Sequence, residues 1–139
     1  ASQRDAEDLY EFGRHLGLAF QLQDDLLDSF GDPEVMGKNQ GTDIIDNKKT
    51  FLMIQALDTA SDSQKEELCE WLTRKEFDPK EKIKAVTAIF DTLKIKELTE
   101  NKIQDYYRHA LTNLENLNRP EERKKELFNF ASFLMNRNR

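Results

Sequence analysis

The sequence is poor in the residues that form disulfides, membrane spans and large apolar cores. Its 139 residues include a single cysteine, Cys69, which excludes a disulfide within the chain and suits a reducing, cytoplasmic location. No apolar run approaches the roughly 20 residues that a membrane-spanning helix needs. Hydrophobic residues make up 37% of the chain and the mean hydropathy is −0.80, which favours amphipathic elements with long solvated faces.

Positive charge is scarce relative to negative charge. The chain has 21 Lys and Arg against 27 Asp and Glu, a formal net charge of −6. It also lacks a basic cluster that could neutralise the phosphates of a nucleic acid, so nucleic-acid binding is not expected.

Apolar residues recur at intervals of three and four along almost the whole chain, which is the period of amphipathic helices, and the fold class is predicted to be all-α. Six helices are expected, three by range (about 3–29, 48–60 and 121–136) and three by the N-cap residue that opens them (Ser63, Asp78 and Thr99). Gly13 and Gly17 lie one turn apart in the first helix. Since two glycines cost a helix roughly 2 kcal/mol relative to alanine, they predict another helix crossing closely there.

The first predicted helix ends in an acidic stripe, residues 20–28, with the sequence Phe-Gln-Leu-Gln-Asp-Asp-Leu-Leu-Asp. At 3.6 residues per turn, Gln21, Asp24, Asp25 and Asp28 lie along one face. Unpaired carboxylates at one-turn spacing repel, which favours a shared cation, and Mg²⁺ prefers one or two such ligands together with water and phosphate oxygens. The stripe therefore predicts one wall of a Mg²⁺-diphosphate site. The alternative is a solvated acidic helix face.

The segment after this helix supports the first interpretation. Three of the five glycines lie within 31–41, a pattern typical of a loop whose backbone can approach a ligand. Lys38 and Lys48 can bring positive charge back to the acidic stripe and hold phosphate oxygens.

Residues 20–28 resemble the second aspartate-rich motif of the trans-isoprenyl diphosphate synthases, the polyprenyl synthetase group that includes farnesyl and geranylgeranyl diphosphate synthases. Gly37-Lys38 and residues 41–48 are similar to the segment that follows that motif, and residues 107–131 are similar to the family's closing helices. The resemblance covers nearly the whole chain. It implies an antiparallel helical bundle, with residues 1–139 forming the C-terminal part of a single synthase domain.

One part of the family pattern is missing from this sequence. The family has a first D-D-x-x-D-type motif on an earlier helix, whereas Asp24-Asp25 is the only adjacent aspartate pair here. The chain is therefore expected to correspond to the C-terminal half of a synthase and to be inactive alone.

The resemblance implies Mg²⁺-dependent condensation of an allylic diphosphate with isopentenyl diphosphate, which gives a longer prenyl diphosphate and pyrophosphate. Roles follow for a few residues: metal binding for Asp24, Asp25 and Asp28, catalysis and substrate binding for Lys38 and Lys48, and substrate binding for Gln21. Lys49 is expected to be solvated. Asp43 is expected to cap the following helix or to order the loop.

A homo-oligomer, most simply a dimer, is also expected, because the face of the first helix bearing Gly13 and Gly17 would otherwise remain open. Two other functions stay open: a non-catalytic helical homologue with a regulatory or structural role, and an unrelated Mg²⁺-dependent phosphohydrolase. The latter usually relies on His-Asp clusters, and His15 and His109 show no such pairing in sequence, so both are expected to be structural.

Overall fold

The computed structural model describes residues 3–31 and 41–136. Within these residues the chain forms no strand but seven helices: α1 (Gln3–Phe30), α2 (Thr42–Ile45), α3 (Phe51–Thr59), α4 (Asp62–Thr73), α5 (Pro79–Thr92), α6 (Ile95–Glu115) and α7 (Glu121–Asn136). The all-α fold class is confirmed. None of the described helices combines the length and the apolar character needed to span a membrane.

The chain divides into two compact units. The first comprises Ala1–Gln23 and Glu100–Arg139, and the second comprises Asp24–Thr99. Helices α1 and α6 each contribute residues to both units. The acidic residues of the stripe, from Asp24 onward, therefore belong to the second unit.

The first unit is built on α1, α6 and α7. Its buried apolar side chains are Phe12, Leu16, Ala19, Leu22, Ile103, Ala110, Leu114, Leu117, Ala131 and Met135. Two buried polar residues of α1 add hydrogen bonds to this core. Asp5 accepts one from the backbone amide of Asn118 (3.0 Å), and Gln23 donates one to the carbonyl of Met135 near the end of α7 (3.3 Å).

The second unit is organised around α5, which packs against α2, α3 and α4. Its buried apolar side chains are Leu26, Ile44, Leu52, Met53, Ala56, Leu68, Val86, Ile89, Phe90 and Ile95. One charged residue, Lys82, is buried among the apolar positions of α5 with no exposed surface.

The helix starts confirm one predicted cap and correct two others. Asp78 caps α5 as predicted, accepting from the amide of Lys80. Helix α4, however, begins after Ser61, which forms a capping box with Gln64, so the prediction of Ser63 was wrong by two residues. Both serines precede the apolar run, but Gln64 lies at the third helical position only when Ser61 is the cap.

Thr99 was also wrongly predicted as a cap. A positive φ of 57° at Lys94 separates α5 from α6, so that α6 already begins at Ile95. Thr99 lies buried inside α6, where its hydroxyl donates to the carbonyl of Ile95 (2.7 Å). The second predicted helix starts late for a similar local reason, because Thr50 caps α3 by accepting from the amide of Met53.

Some apolar residues of these helices are exposed: Leu9 (41%), Ile54 (52%) and Phe130 (53%). In α7 the buried positions are Ala131 and Met135, which lie four residues apart on one face of the helix. The close helix crossing at Gly13 and Gly17 is not found within the described chain, since a methyl group added at either would meet no atom within 4 Å.

Gly41 and Gly17 provide a matched pair of glycine-to-alanine tests. Gly41 has φ +84°, and a Cβ there would lie 2.6 Å from Ile83 Cδ1. Because both the backbone conformation and the space oppose a side chain, Gly41→Ala should lower the free energy of unfolding by about 1–3 kcal/mol. Gly17→Ala, in an open helical position, should raise it by up to about 1 kcal/mol. Urea unfolding followed by far-ultraviolet circular dichroism measures both.

Equal effects of the two substitutions would contradict the geometry at Gly41. A loss of stability in Gly17→Ala would show that another helix crosses that face in solution.

Candidate functional site

Asp28, in the last turn of α1, caps the short helix α2. Its Oδ1 accepts a hydrogen bond from the hydroxyl of Thr42 (2.7 Å), and its Oδ2 accepts one from the amide of Asp43 (3.0 Å). The backbone carbonyl of Asp28 also accepts from the amide of Gly41 (2.6 Å). Gly41 has no side chain with which to cap α2, so Asp28 performs that role from a distance in sequence.

Asp25 is buried, with 6% of its surface exposed. Burial raises the pKa of its carboxyl group, and the neighbouring charges of Asp24 and Asp28 raise it further. Lys48 acts in the opposite direction, because its Nζ lies 3.6 Å from Asp25 Oδ1. Within the part of the chain that the structure describes, the positive charge of Lys48 therefore offsets the negative charges of Asp24 and Asp28 at Asp25.

Asp43 is the second partner of Lys48, at 3.8 Å from Nζ to Oδ1. Burial raises the pKa of this carboxyl as well, and Asp28 raises it more than Lys48 lowers it. Asp43 lies in the first turn of α2 and is not its N-cap residue, and Thr50 caps the next helix, so the prediction of a cap at Asp43 was wrong. Its ion pair with Lys48 is consistent with the other predicted role, ordering of the loop.

The segment from Asn47 to Thr50 holds Lys48 in place by backbone hydrogen bonds. The amide of Lys48 donates to the carbonyl of Asp43 (2.9 Å), and the amide of Thr50 donates to the carbonyl of Lys48 (2.9 Å). Asn47 adopts φ 56°, in the left-handed region that asparagine tolerates better than most residues. This turn directs the side chain of Lys48 toward Asp25 in α1 and Asp43 in α2.

The remaining residues predicted for the site differ in exposure, and one lies outside the described residues. Asp24 is half-buried beside Asp25, and Gln21 is exposed on α1 within the first unit. Lys49 is exposed, as predicted, whereas Lys38 lies outside the described residues. The structure thus brings Asp25, Asp28, Asp43 and Lys48 together.

Two residues of this region escaped the sequence analysis. Thr42 was not recognised as a donor to Asp28, although a hydroxyl directly after a glycine at a helix start is a usable signal. Lys82 was overlooked as a charged residue on the apolar face of α5, four residues before Val86, a position where a solvated lysine is not expected.

The donor set suits a hard divalent cation bound through few protein ligands. No group of three or more His, Cys, Asp or Glu side chains is arranged to hold a metal ion within residues 3–31 and 41–136. Mg²⁺ does not require such a group, since it commonly takes one or two carboxylates and completes its shell with water and phosphate oxygens. The crowding of like charges around Asp25 and Asp43 favours an added cation.

The histidines lie in a different environment. His15 Nδ1 is hydrogen-bonded to Asn113 (2.9 Å), and its ring stacks on His109 with centroids 5.3 Å apart. These contacts within the first unit agree with the structural role expected for both histidines. The surface grooves of that unit, including one of about 530 Å³ between α6 and α7, contain none of the predicted site residues.

Comparison with known proteins places these features in a family. The model of the polyprenyl synthetase family matches residues 1–90. The chain is 35% identical over 130 residues to the short chain isoprenyl diphosphate synthase of Methanothermobacter thermautotrophicus, covering 93% of this chain and 38% of that protein. It is 40% identical over 100 residues to the farnesyl pyrophosphate synthase of Homo sapiens, covering 72% of this chain and 23% of that protein.

Solved structures of prenyl diphosphate synthases are also similar to this chain. A crystal structure of a geranylgeranyl pyrophosphate synthase superposes with a TM-score of 0.86 at 37% identity, covering 100% of this chain and 43% of that one. A geranylgeranyl pyrophosphate synthase from Corynebacterium glutamicum, complexed with isoprenyl diphosphate and magnesium, gives 0.82 at 29% identity, covering 99% and 39%. The chain thus spans well under half the length of these relatives. On its sequence and its fold, the chain belongs to the polyprenyl synthetase family.

Proposed function

We propose that this chain supplies part of the active site of a Mg²⁺-dependent prenyltransferase, which condenses an allylic diphosphate with isopentenyl diphosphate. The observation that carries the proposal is the position of Lys48, whose Nζ lies between the carboxylates of Asp25 and Asp43 at 3.6 and 3.8 Å. An exposed cation beside buried and half-buried carboxylates is suited to a ligand that brings both a divalent cation and phosphate oxygens.

Metal binding is assigned to Asp24 and Asp25, with Asp28 in a supporting position. Each oxygen of Asp28 already accepts one hydrogen bond, from Thr42 or Asp43, which leaves one lone pair per oxygen for a ligand. The capping bonds fix the orientation of this carboxylate. Bound Mg²⁺ would neutralise negative charge that develops on the departing diphosphate.

Diphosphate binding is assigned to Lys48 and Lys38, with Gln21 as a further contact. The exposed Nζ of Lys48 can donate to a phosphate oxygen while its backbone stays anchored to Asp43. Preorganised donors aimed at developing charge are usually the largest single contribution to such catalysis. The released pyrophosphate accepts the proton that condensation removes.

Two features of the whole protein are part of this proposal. The second metal-binding wall comes from a segment bearing the family's first aspartate-rich motif, so the 139-residue chain alone does not catalyse. The enzyme works in the cytoplasm as a homo-oligomer, which the exposed face of α1 around Gly13 and Gly17 would accommodate.

Asp24 and Asp28 are expected to differ in what their carboxylates do. Asp24→Asn should weaken Mg²⁺-dependent binding of inorganic pyrophosphate to the chain by about tenfold or more, because the variant loses a carboxylate charge. Asp28→Asn should lower the free energy of unfolding by about 0.5–2 kcal/mol, because the capping of α2 weakens. Titration calorimetry with and without Mg²⁺, together with thermal unfolding, measures both effects. Undiminished pyrophosphate binding in Asp24→Asn would remove this residue from the metal site.

Lys48 and Lys49 form a matched pair for the diphosphate contact. Lys48→Ala should slow prenyl transfer by about 10²–10³-fold, the loss typical of one oxyanion donor, while Lys49→Ala should change it little. The assay needs a complete site, which a fusion to the N-terminal segment of the structurally similar geranylgeranyl pyrophosphate synthase would provide. Equal losses in both variants would show that the diphosphate contact is assigned to the wrong lysine of the turn from Asn47 to Thr50, the lysine turn.

The same fusion tests the division of the active site. The 139-residue chain should release no pyrophosphate from an allylic diphosphate and isopentenyl diphosphate, whereas the fusion should turn over. A fusion carrying Asp24→Asn serves as the control for background activity of the added segment. Turnover by the unfused chain would refute the need for a second wall.

A further inference from the structure

The lysine turn rests on a second, buried lysine. Lys82 in α5 has no exposed surface, although lysine is almost never fully buried unless it is paired. Its Nζ donates to Asn47 Oδ1 (2.5 Å) and to the carbonyl of Ile45 (3.3 Å), and it lies 4.3 Å from the ring centre of Phe77. Both hydrogen bonds go to the turn that precedes Lys48.

Burial of the Lys82 ammonium group has a desolvation cost. Burial lowers the pKa of this group, and Asp46 acts only partly against this effect. Replacing a buried ion pair with apolar side chains of similar volume is often neutral or stabilising. Methionine, which has a similar length and no charge, is therefore the apolar replacement that tests what the ammonium group contributes.

The shorter of the two hydrogen bonds of Lys82 goes to Asn47. This residue has a left-handed backbone and is held at both ends of its amide: Oδ1 accepts from Lys82, and Nδ2 donates to the carbonyl of Leu72 at the end of α4 (3.1 Å). Lys48 follows directly, so the direction of its side chain depends on how firmly Asn47 is held.

We propose that Lys82 is a positioning residue, which through Asn47 fixes the turn that aims Lys48 at the carboxylates of Asp25 and Asp43. The expected effect on diphosphate binding rests on the proposed function, whereas the positioning of Lys48 by Lys82 does not. Lys82 thus acts on the site without contacting substrate.

The test compares Lys82→Met with Lys84→Met, an exposed lysine on the same helix. In Lys82→Met, the backbone amides of Asn47 and Lys48, bonded to the carbonyls of Ile44 and Asp43, should exchange with solvent about tenfold faster. The amide of Leu93 at the end of α5 should keep its protection, and the unfolding midpoint should stay equal or rise. Lys84→Met should change neither quantity.

Pyrophosphate binding gives the functional measurement. With Mg²⁺ present, Lys82→Met should bind inorganic pyrophosphate about ten- to a hundredfold more weakly. Asn47→Gly, which keeps the left-handed backbone but removes the amide, should show the same loss, and the double variant should show no further loss.

Three outcomes would overturn the proposal: unchanged exchange at Asn47 and Lys48, a uniform loss of protection with a lower midpoint, or additive losses in the double variant. If the unmodified chain does not bind pyrophosphate, the proposed function fails. The exchange rates of Asn47 and Lys48 still decide the role of Lys82 in that case.

Discussion

Repulsion among carboxylates at the end of α1 is the constraint on which the candidate site depends. Aspartates in the last turns of a helix face the negative end of its dipole, and α1 has no basic residue in its last turn to offset them. Groups later in the chain offset this negative charge: the hydroxyl of Thr42, the amide of Asp43 and the ammonium of Lys48. Helix α2 and the lysine turn each supply partners to this acidic end, and a hydrogen bond from Lys82 reaches the lysine turn.

The sequence predicted the elements whose signals are local. The lengths of α1 and α7 followed from apolar periodicity, and the cap at Asp78 followed from an aspartate before a helical proline. The choice of Lys48 over Lys49 came from the family resemblance, and the ion pairs of Lys48 are consistent with it. Ser63 failed as a cap because Ser61 satisfies the same capping-box rule two residues earlier. Thr99 failed because α6 begins at Ile95, directly after the positive φ of Lys94.

Other features could not be predicted because they depend on partners distant in sequence. Asp28 looked like a metal ligand alone, yet its carboxylate caps a helix 14 and 15 residues later. Lys82 was not distinguished from the other lysines of α5. The partner of its buried ammonium group is Asn47, 35 residues earlier, and no periodicity encodes that pairing.

Gly41 has a consequence for the paths by which this sequence can change. Its Cα faces the side chain of Ile83, with no room between them for a methyl group, and its backbone lies in the left-handed region. A smaller residue at position 83 would relieve the collision but not the backbone conformation. The dependence between positions 41 and 83 is therefore one-sided. A side chain at position 41 requires a smaller residue at position 83, whereas a smaller residue at position 83 is compatible with Gly41. In related sequences, glycine at position 41 should occur with several different residues at position 83. A residue other than glycine at position 41 together with isoleucine at position 83 should be rare.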